Sequence, residues 1–470
     1  MVAFPPINPL WPGSWWKLIL LITSSPKWYK DLSDQRPPNS APISEVNRFS
    51  DWTVNSVGLG TTSTISDPRF NTILTEAEVE SALRGLQKTC NIKLSETPHR
   101  SYWGHKSSVV YIPPITALGP GKPPRKPPQK PKTASVLITS GFHGRERGGP
   151  DSLVYFLTDL LHAYVHRRGL HYGNRIYSKW EVAMVLELGI VILPVVNPDG
   201  LAWDQQFHSC WGNNLNFKNR RSKNGNVLDG IGVNIDRNFD VAWDFRRIYS
   251  PEAEDVSSDN PSHELYHGDA PFSEPESRNV AAVFEQHKDI RWYLNAGEKS
   301  RVVTHPWGID VVQTTKPEQN WRNEDFDGMR GVDERLYGEY MDLQDLRVFT
   351  NTSATIAKSI QYLQGKKFRD LEDLKKQNLT PLAASGTATD WAYSRHLVDD
   401  SLEKVYSFKL QVGMSDEEAH DIAIQGLCPF YPTSKQYKNA LREAAVGYME
   451  FLLEVAKHED QTVPKTPRST

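Results

Sequence analysis

The chain has 470 residues, 38% of them hydrophobic and 24% charged, and its formal net charge at pH 7 is −3. This balance is typical of a globular protein with one large core or two smaller ones. The charge argues against nucleic acid as a partner, because no excess of basic residues is present to neutralise phosphates. No stretch approaches the roughly 20 apolar residues that a membrane span requires.

The first 67 residues are rich in Pro, Ser and Thr and show little periodicity, so they predict a poorly ordered leader. An apolar run from Leu18 to Ile22 is shorter than the roughly 7–15 residues of a secretory signal, and a weak signal segment and a plain leader both stay open. Glycosylation sequons at Asn351 and Asn378 favour secretion. We therefore expect a secreted or vacuolar protein, although three cysteines allow only one disulfide and do not settle the compartment.

Residues 68–458 carry the pattern of one domain, followed by a tail at 459–470. Thr75 and Glu78 form a capping box that opens an amphipathic helix, and Ser273 and Glu276 predict a second one. A Lys/Pro-rich stretch at 119–132 predicts an exposed insertion. Apolar periodicity predicts further helices at 153–164 and 440–455, and strands at 109–112, 136–139, 190–193, 290–294 and 405–412.

Apolar strands that alternate with helices predict an α/β domain, with a mixed, mostly parallel twisted sheet and helices on both faces. Ligands bind beyond the carboxyl ends of the strands in such sheets. His143 and Glu146 follow the strand at 136–139, and their spacing lets an imidazole nitrogen and a carboxylate oxygen converge on one zinc ion. Alone, the pair is more often a capping histidine beside a surface glutamate than a metal site.

Several motifs in chain order resemble those of the zinc carboxypeptidases of the pancreatic carboxypeptidase A/B superfamily. The first, His143-Gly144-Arg145-Glu146, is similar to the zinc motif of that family. The resemblance covers about residues 100–440 and implies a metallocarboxypeptidase-like fold, with residues 1–67 as an eroded pro-region. The other motifs that carry it are Asn197–Gly200, Gly232–Asp240, Tyr266–Gly268, Pro271–Glu276, Thr389–Tyr393 and Tyr406–Phe408.

The third zinc ligand implied by the resemblance is missing. Working members place a histidine nine residues before a Pro-Tyr-Gly or Pro-Trp-Gly turn, and here that position before Pro306 is Gly297. Glu298 or His305 would supply a ligand only if the register shifted, and a shift of one residue along a strand reverses the facing of every side chain. Two of three ligands, His143 and Glu146, are thus expected, and zinc binding is doubtful.

The general base implied by the resemblance is also replaced. The family carries a catalytic glutamate in a late strand that reads F-E-L-R, and this chain reads Phe408-Lys409-Leu410-Gln411. A lysine has a reference pKa of about 10.4 and cannot accept a proton from water at neutral pH. Lys409 therefore predicts a loss of catalysis.

The positions that correspond to substrate-binding residues are mixed. Arg145 and Arg237 correspond to a substrate-binding arginine and to the arginine that holds the C-terminal carboxylate. Asp236 replaces an asparagine that shares this carboxylate, and Lys218 replaces an oxyanion-stabilising arginine. Leu382 takes the place of a mobile tyrosine.

These substitutions favour an inactive, monomeric protein that binds the C-terminus of a peptide or protein. They resemble the fungal inactive metallocarboxypeptidase-like proteins linked to cell-wall biogenesis. The alternative is an active zinc carboxypeptidase with a rearranged site. A further prediction is that Lys409 replaces the ion and forms a salt bridge with Glu146.

Overall fold

A computed structural model describes residues 34–50, 72–115, 134–219, 230–310, 312–332, 337–376 and 383–462. The expected insertion at 119–132, the Asn378 sequon, Leu382 and the apolar run near the N-terminus lie outside these residues. The helices are α1 (Glu76–Thr89), α2 (Gly148–Val165), α3 (Lys179–Leu186), α4 (Pro198–Phe207), α5 (Phe245–Ile248), α6 (Pro275–Gln286), α7 (Leu343–Gln364), α8 (Leu371–Lys376), α9 (Ala388–Val398), α10 (Asp416–Ala423) and α11 (Ser434–Thr462).

An eight-stranded sheet forms the centre of the protein, with the strand order β1-β2-β6-β3-β7-β12-β8-β11. Its four central strands, β6, β3, β7 and β12, are parallel, whereas β1, β2 and β8 pair antiparallel with their inner neighbours. The strands are β1 (Lys93–Glu96), β2 (Ser108–Ile112), β3 (Val136–Ser140), β4 (Leu170–Tyr172), β5 (Arg175–Tyr177), β6 (Ile190–Leu193), β7 (Trp292–Glu298), β8 (Val302–Thr304), β9 (Gln313–Thr314), β10 (Glu339–Tyr340), β11 (Arg369–Asp370) and β12 (Tyr406–Val412). The predicted fold class is confirmed.

Side chains alternate between two apolar layers along the central strands, as the period of two in a strand requires. On β3, Val136 and Ile138 face a core built with α2, α7 and α11, whereas Leu137 faces a second core with α6 and α9. Both faces are covered, which is why these strands are apolar at nearly every position. The carboxyl ends of β3, β7 and β12 lie at the same edge of the sheet, because the three strands are parallel.

The two predicted capping boxes differ in outcome. Thr75 and Glu78 form the reciprocal bonds that open α1, as predicted. The prediction at Ser273 is wrong, because α6 begins at Pro275 and its cap is Glu274, without a side-chain capping bond. Glu276 turns inward instead and accepts a hydrogen bond from Asn214 at 2.9 Å. The hydrogen bond between Glu276 and the buried Asn214 therefore replaces the predicted capping bond.

Residues 34–50, which the sequence analysis assigned to the leader, pack against the domain. Phe49 is fully buried in the main core. The guanidinium of Arg48 lies 2.6 Å from the buried carboxylate of Glu78 in α1. Cys210 and Cys428 form a disulfide, and Cys428 N–H donates to the carbonyl of Gln35 at 2.8 Å. In the described part of the chain, no helix is both long and apolar enough to cross a bilayer.

Candidate active site

His143 and Glu146 lie on the turn between β3 and α2, at the carboxyl end of the sheet. Gly141 starts this turn with φ at +66°, and a Cβ there would approach Pro194 O to 3.3 Å, so glycine suits the position. His143 Nδ1 lies 3.1 Å from Glu146 Oε1. The two predicted metal ligands therefore come together, and they hydrogen-bond to each other.

The other ring nitrogen of His143 reveals a residue that the sequence reasoning missed. His143 Nε2 lies 3.3 Å from Asn234 Oδ1. Metal-ligating histidines usually donate their second N–H to a carboxylate, carbonyl or water. The family pattern G-V-D-x-N-R has an acidic residue where this chain has Asn234, and an asparagine where it has Asp236. In this chain the acidic residue and the amide have changed places between positions 234 and 236. This exchange is the sequence feature that could have identified Asn234.

Gly297 faces Glu146, where the third zinc ligand was expected. A Cβ built on Gly297 would lie 3.0 Å from Glu146 Oε2. The register of β7 with β12 pairs Asn295 with Lys409 and Gly297 with Gln411, so these positions point to the same side of the sheet. The register inferred from Pro306 is thus the one that the fold adopts, and the ligand position has no side chain.

The two alternative ligands point elsewhere. Glu298 lies on the opposite face of β7, where its Oε1 accepts a hydrogen bond from Gly148 N at 3.1 Å. Burial raises the pKa of Glu298 well above its usual value, and the charge of Glu146 raises it further. His305 stacks on Phe349 with 5.0 Å between ring centroids, and its Nδ1 lies 2.6 Å from Pro306 O.

These contacts decide whether the residues fit a zinc ion. A tetrahedral zinc site in a catalytic centre needs three protein ligands and one open position. Only His143 and Glu146 converge, and they occupy each other's hydrogen-bonding groups. Among the described residues, no three His, Cys, Asp or Glu side chains form a group able to hold a metal ion. The residues present therefore do not fit the zinc of the family.

Lys409 forms an ion pair, but not with Glu146. Its Nζ lies 2.7 Å from Asp236 Oδ2, so the predicted Glu146–Lys409 salt bridge is wrong. Asp236 lies in the 3₁₀ turn Ile235–Arg237, and its Oδ1 accepts a hydrogen bond from Ala388 N at 3.0 Å at the start of α9. The carboxylate of Glu146 hydrogen-bonds to His143. Asp236 is buried, and a buried carboxylate is stabilised by a nearby cation, which here is Lys409.

The Asp236 carboxylate stays ionised in this environment. Burial by itself raises the pKa of Asp236, but the positive charges of Lys409 and Arg237 outweigh burial and hold the pKa below its usual value. The side chain of Asp236 is 2% exposed and that of Lys409 is 24% exposed. The position expected for a general base is therefore occupied by the half-buried cation Lys409, which is paired with the buried carboxylate of Asp236.

The two arginines of the site differ in their partners. Arg237 Nε donates to Val256 O at 3.0 Å, and Nη1 donates to Asp236 O at 2.8 Å. Within the described ranges, Arg237 forms no ion pair with a carboxylate side chain. Arg145 Nη1 lies 3.0 Å from Glu264 Oε2. Arg237 thus keeps a positive charge that only backbone carbonyls contact.

Lys218 does not join the other predicted residues. Its side chain is exposed, and its charge contributes to the lowered pKa of Asp269, after the hydrogen bonds from Tyr266 and Asn219. The preceding residue, Phe217, stacks with Trp103 at 6.3 Å between ring centroids. A role for Lys218 at an oxyanion stays a prediction.

The mostly parallel sheet, the turn after β3 that carries His143 and Glu146, and the 3₁₀ turn that carries Arg237 define a metallocarboxypeptidase-like protein. The chain belongs to the zinc carboxypeptidase family, because the family model matches residues 83–446. The family explains the position of the cleft, and the substitutions at Gly297 and Lys409 are departures from its pattern.

Relatives and solved structures agree with this assignment. The chain is 26% identical to carboxypeptidase B of Astacus astacus over 199 residues, which is 42% of this chain and 55% of the relative. It is 30% identical to mast cell carboxypeptidase A of Rattus norvegicus over 179 residues, 38% of this chain and 37% of the relative. These alignments span at most about half of each relative. Bovine thrombin-activatable fibrinolysis inhibitor, solved with a tick carboxypeptidase inhibitor, shares the fold with a TM-score of 0.55 at 16% identity, over 84% of this chain and all of that one.

Proposed function

We propose that this protein is a catalytically inactive member of the zinc carboxypeptidase family that binds the C-terminus of a peptide or protein. The observation that carries the proposal is the ion pair between Lys409 and the buried Asp236, at 2.7 Å. It puts an ammonium group where the family has the base that activates water. A protonated amine has no lone pair with which to accept a proton.

The loss of hydrolysis follows from two independent changes. A positioned general base contributes typically about 10²–10⁴-fold to a rate, and this contribution is absent. Gly297 offers no ligand beside Glu146, so a divalent ion would have two protein ligands instead of three. The Lys409 cation would also repel that ion.

Binding of a carboxylate is supported by the state of Arg237. Its guanidinium has a fork geometry that matches a carboxylate, and hydrogen bonds between two charged groups are about twice as strong as neutral ones. Asp236 adds a negative charge nearby, but Lys409 compensates it. The C-terminal carboxylate of a peptide is the ligand that this arrangement fits best.

Binding and hydrolysis are tested together with labelled peptides that end in aromatic, aliphatic or basic residues, each as a free acid and as an amide. The free acid should bind and the amide should not, and Arg237→Met should weaken binding of the acid by roughly 10–100-fold. Arg84→Met, which removes an exposed arginine on α1, is the control and should change nothing. Release of the last residue at a rate comparable with that of a working carboxypeptidase run in parallel would overturn the proposal and favour the active alternative.

We also propose a compartment and a process for this protein. The Cys210–Cys428 disulfide is suited to an oxidising compartment, which supports a secreted or vacuolar protein. A role in cell-wall biogenesis rests only on the resemblance to inactive fungal relatives. We further propose that the protein is a monomer, which sedimentation of the purified chain would check.

A further inference from the structure

The ring of Phe430 carries two cations at the edge of the candidate site. Arg145 Cζ lies 4.4 Å from the ring centroid, and Lys299 Nζ lies 5.5 Å from it. Arg145 belongs to the turn of His143 and Glu146, and Lys299 is two residues beyond Gly297. Phe430 thus contacts the segment of His143 and Glu146 through Arg145, and the segment of Gly297 through Lys299. These two segments correspond to the metal-ligand positions of the family.

Phe430 is held in place from both sides along the chain. Cys428 is bonded to Cys210, and Tyr431 OH donates to the buried carboxylate of Asp204 at 2.6 Å. The guanidinium of Arg147 stacks on the Tyr431 ring at 3.7 Å. Phe430 itself is half-buried, so a rigid aromatic surface remains accessible to a ligand.

The backbone that presents Lys299 is unusual. Lys299, Ser300 and Arg301 have φ values of +81°, +79° and +49°, a left-handed run that non-glycine residues rarely adopt. The run is held by Lys299 N, which donates to Val412 O at 2.8 Å, and by an ion pair of Arg301 with the buried Glu443. Strained backbone of this kind concentrates at binding sites, where the surrounding structure holds it.

The charges around Phe430 do not cancel. Arg145 is paired with Glu264, an exposed carboxylate. Lys299 contacts the Phe430 ring, and it forms no ion pair with any described residue. One positive charge is therefore left over beside an accessible aromatic ring.

We propose that Lys299, with Phe430 and Arg145, forms a subsite that selects an acidic side chain in the bound peptide. The inference rests on the proposed function, in which Arg237 holds the terminal carboxylate. In this proposal the acidic side chain belongs to a residue upstream of the last one. An aspartate or glutamate at that point pairs with the Lys299 ammonium, while its methylene groups pack on Phe430.

The test uses labelled hexapeptides with a free C-terminus and Glu, Gln or Ala at each of the three positions before the last residue. At one of these positions, the Glu peptide should bind about fivefold more tightly than the Gln peptide at low salt, and the gap should shrink as salt rises. Lys299→Asn should abolish the gap, because Asn tolerates a positive φ and removes the ammonium group together with its contact to Phe430. Lys299→Arg should keep it.

Lys358→Ala, on the exposed side of α7, is the matched control and should leave the preference unchanged. Equal binding of Glu and Gln peptides to the natural protein would overturn the inference, as would a preference that survives in Lys299→Asn. Its failure is separate from that of the proposed function, since the acid-versus-amide comparison with Arg237→Met does not involve Lys299. If none of the peptides binds, both proposals are rejected.

Discussion

Two halves of the cleft deal with charge in different ways. In the half where the family binds metal, the groups satisfy one another, since His143 contacts Glu146 and Lys409 pairs with Asp236. In the other half, Arg237 donates only to backbone carbonyls and forms no described ion pair. We call the first half closed because its charged side chains pair with each other, whereas the described hydrogen-bond partners of Arg237 in the other half are backbone carbonyls.

The closed half arises from substitutions that compensate each other. Compared with the family pattern, an asparagine has become Asp236 and a glutamate has become Lys409, so the negative charge has moved and a positive one now faces it. Either change alone would leave a buried or half-buried charge without a partner, which is costly in a protein interior. The two substituted side chains thus form a pair in which each charge stabilises the other.

The largest expected effect is on stability. Lys409→Met leaves the Asp236 carboxylate buried without its cation and should lower the free energy of unfolding by about 3–5 kcal/mol. The double variant Asp236→Asn/Lys409→Met removes both charges and should recover most of this loss. Urea denaturation of the three proteins measures the effect. A loss below about 1 kcal/mol for Lys409→Met would mean that the pair behaves as an exposed one, and the contrast between the halves would fail.

A second prediction concerns zinc binding in the closed half. Gly297→His combined with Lys409→Glu and Asp236→Asn supplies a third ligand beside Glu146 and removes the competing cation, so this variant should retain about one zinc per chain after dialysis. Its zinc affinity should exceed that of the natural protein by roughly 100-fold or more. Gly297→Ala in the same background is the control, because it adds a Cβ but no ligand. Stoichiometric zinc in the natural protein, by elemental analysis, would contradict the proposed inactivity.

The smallest effect concerns two carboxyls near Arg237 that respond to pH in opposite ways. Burial raises the pKa of Asp390 to about 7, so the folded state binds more protons than the unfolded state between about pH 4 and 7, and stability falls as pH rises through this window. The pKa of Asp236 is lowered, so its contribution is present above about pH 4 and is lost as pH falls below that.

Asp390→Asn should therefore reduce the loss of stability between pH 5 and 8 by roughly 1–2 kcal/mol. Asp236→Asn should act mainly below about pH 4, and it should change the pH dependence between pH 5 and 8 less than Asp390→Asn does, because burial raises the pKa of Asp390 more than the charge of Asp236 does. Denaturation at pH 3, 5 and 8 separates the two variants. Identical pH profiles for Asp390→Asn and the natural protein would show that Asp390 is not protonated in the fold.

Local patterns in the sequence correctly predicted several of the strands and the start of a helix. The apolar runs at 136–139 and 190–193 became buried strands, and the Thr75 capping box opened α1 as predicted. Gly297 lies beside Glu146, in agreement with the family spacing counted back nine residues from Pro306. The Ser273 capping box failed, because a buried contact with Asn214 decided where Glu276 points.

The amino-acid sequence by itself determined that a glycine and a lysine stand at positions 297 and 409, where the family pattern has a zinc ligand and a base. The partners of the residues that remain were decided by the tertiary structure. Lys409 and Asp236 are 173 positions apart, and Phe430 meets Arg145 and Lys299 only because three distant segments converge at one end of the sheet. Periodicity reports the local backbone and its buried face, whereas the pairing of charges depends on distances that only the folded chain sets.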